Sequence, residues 1–231
     1  IVLIQGAKPL VAFAAGAALV LYRLYRRAGA SELAPRVLGA LLVVALLGTA
    51  ANAAELMYLS VPKRDLPVES GCCSAAAADN NDLAAPASQE HWLAPAYYAC
   101  HLCLAFLLWP RALPQSKLIS TKRLVALLVL ALVTLAVAGR FVIDIAAPKL
   151  LHLPYHHCIY DLVADVPESG VALGLLLWGT FCVGWACVAG WLGQSAGAAR
   201  LVAVESSHWQ SWGALAYLGT AAMFSVELWL A

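Results

Sequence analysis

Charge is what this sequence has least of. Only 12% of its 231 residues are Asp, Glu, Lys or Arg, against 63% hydrophobic, and the mean hydropathy is +0.80. A soluble domain carries roughly twice that fraction of charge, so the surplus apolar side chains must face something other than water. With a net charge of +1 there is no broad basic surface to hold nucleic acid. The usual signatures of soluble catalysis are missing too: there is no Gly-rich phosphate loop, no Ser–His–Asp arrangement and no zinc-protease helix motif. No internal repeat is evident, and no pair of interrupted helices in matching halves suggests a transporter. The opening run lacks a basic n-region and is followed by arginines instead of a small-residue cleavage site, so it does not read as a signal peptide. Because the first residue is Ile1, a preceding segment is expected.

What the sequence does have is six apolar runs, near 4–22, 37–60, 93–110, 124–146, 171–192 and 211–230. At about 20 residues each they match a hydrocarbon core of roughly 30 Å. The expected fold is therefore all-α: one polytopic integral membrane domain, 1–231, with about six transmembrane helices and the lipid bilayer as its solvent. Arg23, Arg26, Arg27 and Arg36 follow the first run, Arg111, Lys117, Lys122 and Arg123 the third, and Arg200 the fifth. By the positive-inside rule these loops are cytoplasmic, although Lys63 and Arg64 sit in an opposing loop. Both termini and the loops 61–92 and 147–170 are then extracytoplasmic. Abundant alanine and scarce lysine suggest a high-GC bacterial source, and the expected location is then the bacterial inner membrane. Trp92, Tyr97, Tyr98, Trp109, Trp209 and Trp212 stand at run ends, where an interfacial aromatic belt is expected. Gly174, Gly179, Gly184 and Gly190 in the fifth run read as helix-packing positions.

The donor residues for chemistry are unevenly spread. Of seven cysteines and six histidines, Cys72 and Cys73 lie in the first outer loop, Cys100, His101 and Cys103 form a C-H-L-C unit in the third run, and His152, His156, His157 and Cys158 sit within HLPYHHCIYD. Cys182 and Cys187 read as packing residues, and His208 belongs to the opposite face. Three imidazoles and a thiol within seven residues suit copper, zinc, iron or haem. Pro154 interrupts any helix entering from the fourth run, so a short helix is expected to start near Tyr155 or His156, with Asp161 one turn beyond His157.

The expected site is a soft or redox metal, copper or haem iron with zinc also fitting, held by His156, His157, Cys158, Cys100, His101 and Cys103. Asp161 and Glu55 would stand behind these ligands. Partners would be other membrane subunits or an extracytoplasmic redox protein. Within the bilayer region, Arg140 and Asp144 are spaced to pair, and Lys8 could neutralise Glu55 from the first helix.

Two other readings stay open. A C-x-x-C at the outer end of a transmembrane helix, Cys100–Cys103, with further loop cysteines, is similar in that one respect to the membrane quinone reductases that make disulfides, including the vitamin K epoxide reductase family. That resemblance implies quinone-coupled thiol exchange, with Cys72, Cys73 and Cys158 as relay thiols. The other reading is a structural accessory subunit whose outer loops are tied by disulfides at Cys72 or Cys73.

Overall fold

The computed structural model describes residues 2–29, 32–60, 90–109, 120–152, 158–192 and 199–231. Among them there is no strand. The helices are α1 (Val2–Arg27), α2 (Leu33–Ser60), α3 (Glu90–Leu108), α4 (Thr121–Phe141), α5 (Ala147–Leu150), α6 (Ile159–Asp165), α7 (Pro167–Leu192) and α8 (Ala199–Leu230). A π-helical turn, Val142–Ala146, joins α4 to α5 without a break. Five stretches are long and apolar enough to cross a membrane: Lys8–Arg27, Leu33–Met57, Thr121–Leu150, Pro167–Leu192 and Arg200–Leu230. The apolar part of α3, Trp92–Leu108, is shorter. These helices fit a multi-pass membrane protein, and their exposed leucines agree: Leu42 and Leu46 are about three-fifths exposed.

Between α4 and α7 the described residues form the π-helical turn and two short helices, α5 and α6. α7 starts at Pro167, where a proline loses nothing because its missing N–H would be unsatisfied anyway. α6 begins at Ile159, after Cys158 in an extended conformation (φ −86°, ψ 114°), a few residues later than the expected start.

Two compact units share the chain. One is drawn from Ile1–Asp65, Pro110–Ala126 and Phe181–Gln210, the other from Leu66–Trp109, Leu127–Thr180 and Ser211–Ala231. We call them the α1–α2 unit and the α3 unit.

In the α1–α2 unit, α2 lies on α1 along a single seam. From Val37 to Met57 its half-buried positions are Val37, Leu41, Val44, Gly48, Ala51 and Glu55, alternating by four and three residues, while the others in that stretch are exposed. That period of 3.5 is the signature of a helix pair meeting along one stripe. At Gly48 an added Cβ would stand 3.0 Å from Val11. Glu55 closes the seam by pairing with Lys8, so the two charges that α1 and α2 carry into the apolar region neutralise each other across the helices.

α7 meets α1 through aromatic packing. Val20, Trp185 and Ala189 are buried together, with Phe13, Ala17, Phe181 and Trp209 against them. The Trp185 Nε1 donates to the Phe13 carbonyl (3.0 Å), spending its one polar group on backbone. Tyr25 Oη bonds the Leu192 carbonyl (3.0 Å), and Glu205 accepts from both Arg27 (3.5 Å) and Trp209 Nε1 (3.2 Å). The glycines of α7 make these approaches possible: a Cβ would come within 2.4 Å of Phe13 at Gly184, and within 2.4 Å of Leu124 at Gly190. Gly179 does the same for Tyr217 in the α3 unit, whereas Gly174 faces open space. Cys182 and Cys187 are buried packing residues, the latter with its thiol 3.4 Å from the Leu124 carbonyl.

Candidate functional site: a buried histidine in the α3 unit

α3 buries one stripe: Leu93, Tyr97, His101, Leu104, Ala105 and Leu108. The spacing is that of one helical face, and it carries two polar rings into the core. Tyr97, expected in the aromatic belt, is fully buried instead. Its ring stacks on Phe141 at 4.0 Å between centroids and meets Phe224 edge-on. His101 lies one turn further along, 4.2 Å from the Tyr97 ring and 5.7 Å from that of Tyr217.

His101 Nδ1 is 2.8 Å from the Tyr97 carbonyl oxygen. A carbonyl only accepts, so Nδ1 carries the proton and Nε2 holds a lone pair. Both tyrosine hydroxyls nearby are committed elsewhere. Thr180 Oγ1 gives its proton to the Leu176 carbonyl (2.9 Å), so at 3.1 Å from Tyr217 Oη it can only accept, and Tyr217 donates to it. Tyr97 Oη donates to the Thr220 carbonyl at 3.4 Å. Nε2 is therefore left without a hydrogen-bond partner among the described residues, in a side chain with no exposed surface.

The other expected ligands that the structure describes do not join His101 in a metal-holding group. Residues two apart on a helix point about 200° apart, and the C-H-L-C unit shows it: His101 is in the core, Cys103 is exposed on the outer side of α3, and Cys100 is half-buried between them. Cys100 and Cys103 form no disulfide with each other. Cys158 is buried at the N-cap of α6, and Asp161 is half-buried one turn into that helix. Glu55 belongs to the α1–α2 unit, with Lys8 as its partner. His156, His157, Cys72 and Cys73 lie outside the described residues. Among those described, no three of His, Cys, Asp and Glu converge as a metal-holding group. Arg140 and Asp144 pair as their spacing predicts, at 2.8 Å, at the start of the π-helical turn.

Sequence reasoning named His101 as a candidate ligand and did not anticipate the aromatic wall around it. The signal was present in the Leu93, Tyr97, His101, Leu104, Leu108 spacing. Comparison with protein-family models, with curated proteins and with solved structures finds no match to this chain.

Proposed function

We propose that the chain is a six-span bacterial inner-membrane protein that holds a soft or redox metal, copper or haem iron, and acts in metal delivery or as a subunit of a membrane electron-transfer complex. The observation that carries this reading is the state of His101. A buried nitrogen without a partner costs about 1–3 kcal/mol, and leucine or phenylalanine would fill the same core without that cost. A histidine ring that gives one N–H to a backbone carbonyl and keeps the other nitrogen as a bare lone pair is set up as a metal-ligating imidazole, its tautomer and ring plane fixed from behind.

Cys158, Cys100 and His152 belong to the same unit as His101, and His156 and His157 immediately precede Cys158 in the chain. Thiolates with imidazoles favour copper, and zinc would accept the same donors. An imidazole walled by aromatic rings suits haem iron, which brings four nitrogens of its own. His101 has no exposed surface, so loading it requires its neighbours to move. In this reading the basic loops are cytoplasmic, the termini and the Cys/His residues are extracytoplasmic, and the partner is another membrane subunit or an outer redox protein.

Visible absorption and paramagnetic resonance of the protein purified in mild detergent, beside a His101→Leu variant, test the role of His101. The wild type is expected to show copper or haem absorption that the variant loses. The metal-free variant is expected to be more stable than metal-free wild type, by about 1–3 kcal/mol, because the orphaned nitrogen is gone. A wild-type spectrum unchanged by the substitution would remove His101 from the site.

A further inference from the structure

One end of the α1–α2 unit carries more positive charge than its own contacts use. The last turn of α1 lies beside the end of α7, because Tyr25 Oη donates to the Leu192 carbonyl (3.0 Å). Arg27 reaches Glu205 of α8 at 3.5 Å, and the Cys187 thiol of α7 reaches the Leu124 carbonyl in the first turn of α4 (3.4 Å). Four helix ends are thus gathered at one level, and Arg23, Arg26, Lys122 and Arg200 are exposed there. Among the described residues of these four ends Glu205 is the only acid, and it is already shared between Arg27 and Trp209 Nε1.

α1 sorts its side chains sharply as it enters this region. Val20, Leu24 and Tyr25 are buried, while Leu19, Arg23 and Arg26 are exposed along the opposite face, spaced by four and three residues. Neither Arg23 nor Arg26 forms an ion pair with a described residue. Trp191, the neighbour of Leu192, is exposed at the same level, and an exposed indole marks the boundary between hydrocarbon and headgroups. The outer face of α1 therefore passes within one turn from a leucine among acyl chains to two guanidinium groups at headgroup depth. A phospholipid is built in the same order, apolar tails first and then a phosphodiester.

We propose that Arg23 and Arg26 form a binding site for the phosphodiester of an anionic phospholipid, one of whose acyl chains lies along Leu19. Guanidinium groups suit phosphate oxygens because their planar forks donate two parallel hydrogen bonds. With no acidic side chain left to balance them, a lipid of net negative charge is favoured over a zwitterionic one. The competing role is simpler: the two arginines could only set topology and complement the C-terminal end of the α1 dipole, and neither task distinguishes one lipid from another.

Native mass spectrometry of the full chain in detergent, titrated with phosphatidylglycerol or phosphatidylcholine, separates the two roles. The wild type is expected to bind phosphatidylglycerol about tenfold or more tightly than phosphatidylcholine. Arg23→Gln with Arg26→Gln should weaken phosphatidylglycerol binding by about thirtyfold, at about 1 kcal/mol for each basic residue. Arg23→Lys with Arg26→Lys keeps the charge and should keep most of the binding. Lys122→Gln with Arg200→Gln removes the same charge from the same end and should cost less than about threefold. A wild type indifferent to the two lipids, or equal losses in both glutamine pairs, would overturn the site. So would a lysine pair as weak as the glutamine pair at 23 and 26, which would place the effect in the fold and not in the charge. Displacement of the lipid by millimolar inorganic phosphate would make this a site for free phosphate and overturn the lipid assignment.

Discussion

Tyr97→Ala is expected to destabilise the α3 unit by about 3 kcal/mol, measured as a shift in the unfolding midpoint in mixed detergent micelles followed by helical circular dichroism. Tyr97 has no exposed surface and is packed by Phe141, Phe224, Tyr98 and His101, so its removal leaves a cavity walled by rings that hold one another in place. Aromatic-to-alanine changes in soluble cores cost about 3–5 kcal/mol. The lower end applies here, because a helix that unpacks inside lipid does not expose its apolar face to water. The Tyr97 hydroxyl contributes little, since its bond to the Thr220 carbonyl is long at 3.4 Å. Tyr97→Phe should therefore cost under about 1 kcal/mol. A loss as small for alanine as for phenylalanine would show that Tyr97 is not at the centre of this core.

Gly16→Leu is expected to separate α1 from α7. A Cβ at position 16 would stand 2.1 Å from Trp185 Cζ2 and 2.4 Å from Cε2, well inside any permitted contact. The indole cannot swing aside cheaply: Nε1 is bonded to the Phe13 carbonyl, its face lies along Phe13, and Trp209 meets it edge-on at 4.9 Å. Overpacking a filled interface costs about 1–3 kcal/mol for a few added methylenes, and leucine at a position that does not admit even a methyl should exceed that. Gly16→Ala should give a smaller loss, and shrinking the opposing ring with Trp185→Leu should recover part of it. Thermal stability of the wild type, the three single variants and the Gly16→Ala/Trp185→Leu double variant in one detergent reads this directly. Additive effects of Gly16→Ala and Trp185→Leu would mean that the two positions do not meet.

The parts of this fold that were legible from sequence are those where the bilayer forces a choice. Long apolar runs must be helices because no other open structure satisfies its backbone in lipid, so the helices fall where hydropathy places them. Charges in those runs must find partners, which is why both Lys8–Glu55 and Arg140–Asp144 could be named from position alone. Of the four glycines singled out in the fifth run, three, Gly179, Gly184 and Gly190, stand where a side chain of a neighbouring helix needs the space. Tyr97 was less legible, because a tyrosine near the end of a hydrophobic run fits an interface as well as a core, and only its spacing with Leu93, His101 and Leu104 separates the two. Grouping Cys100, His101 and Cys103 as neighbours in sequence hid the rotation that sends His101 inward and Cys103 outward. The division into two units could not be seen at all, since α4, α7 and α8 each run through both as unbroken apolar helices. Nor could the left-handed turn at His152, because the residue that ordinarily announces such a turn is absent from it.

Metal binding is the point on which the proposed function of this chain rests. The most direct measurement is elemental analysis of the full chain purified from cells supplied with copper, iron and haem precursors, beside His101→Leu and the triple variant His156→Ala, His157→Ala, Cys158→Ala. Stoichiometric copper or iron in the wild type, lost or sharply reduced in both variants, is the expected result. A wild-type protein that folds and purifies intact with no metal bound would contradict the account, and the Cys/His residues would then have to be explained by thiol chemistry or by structure alone.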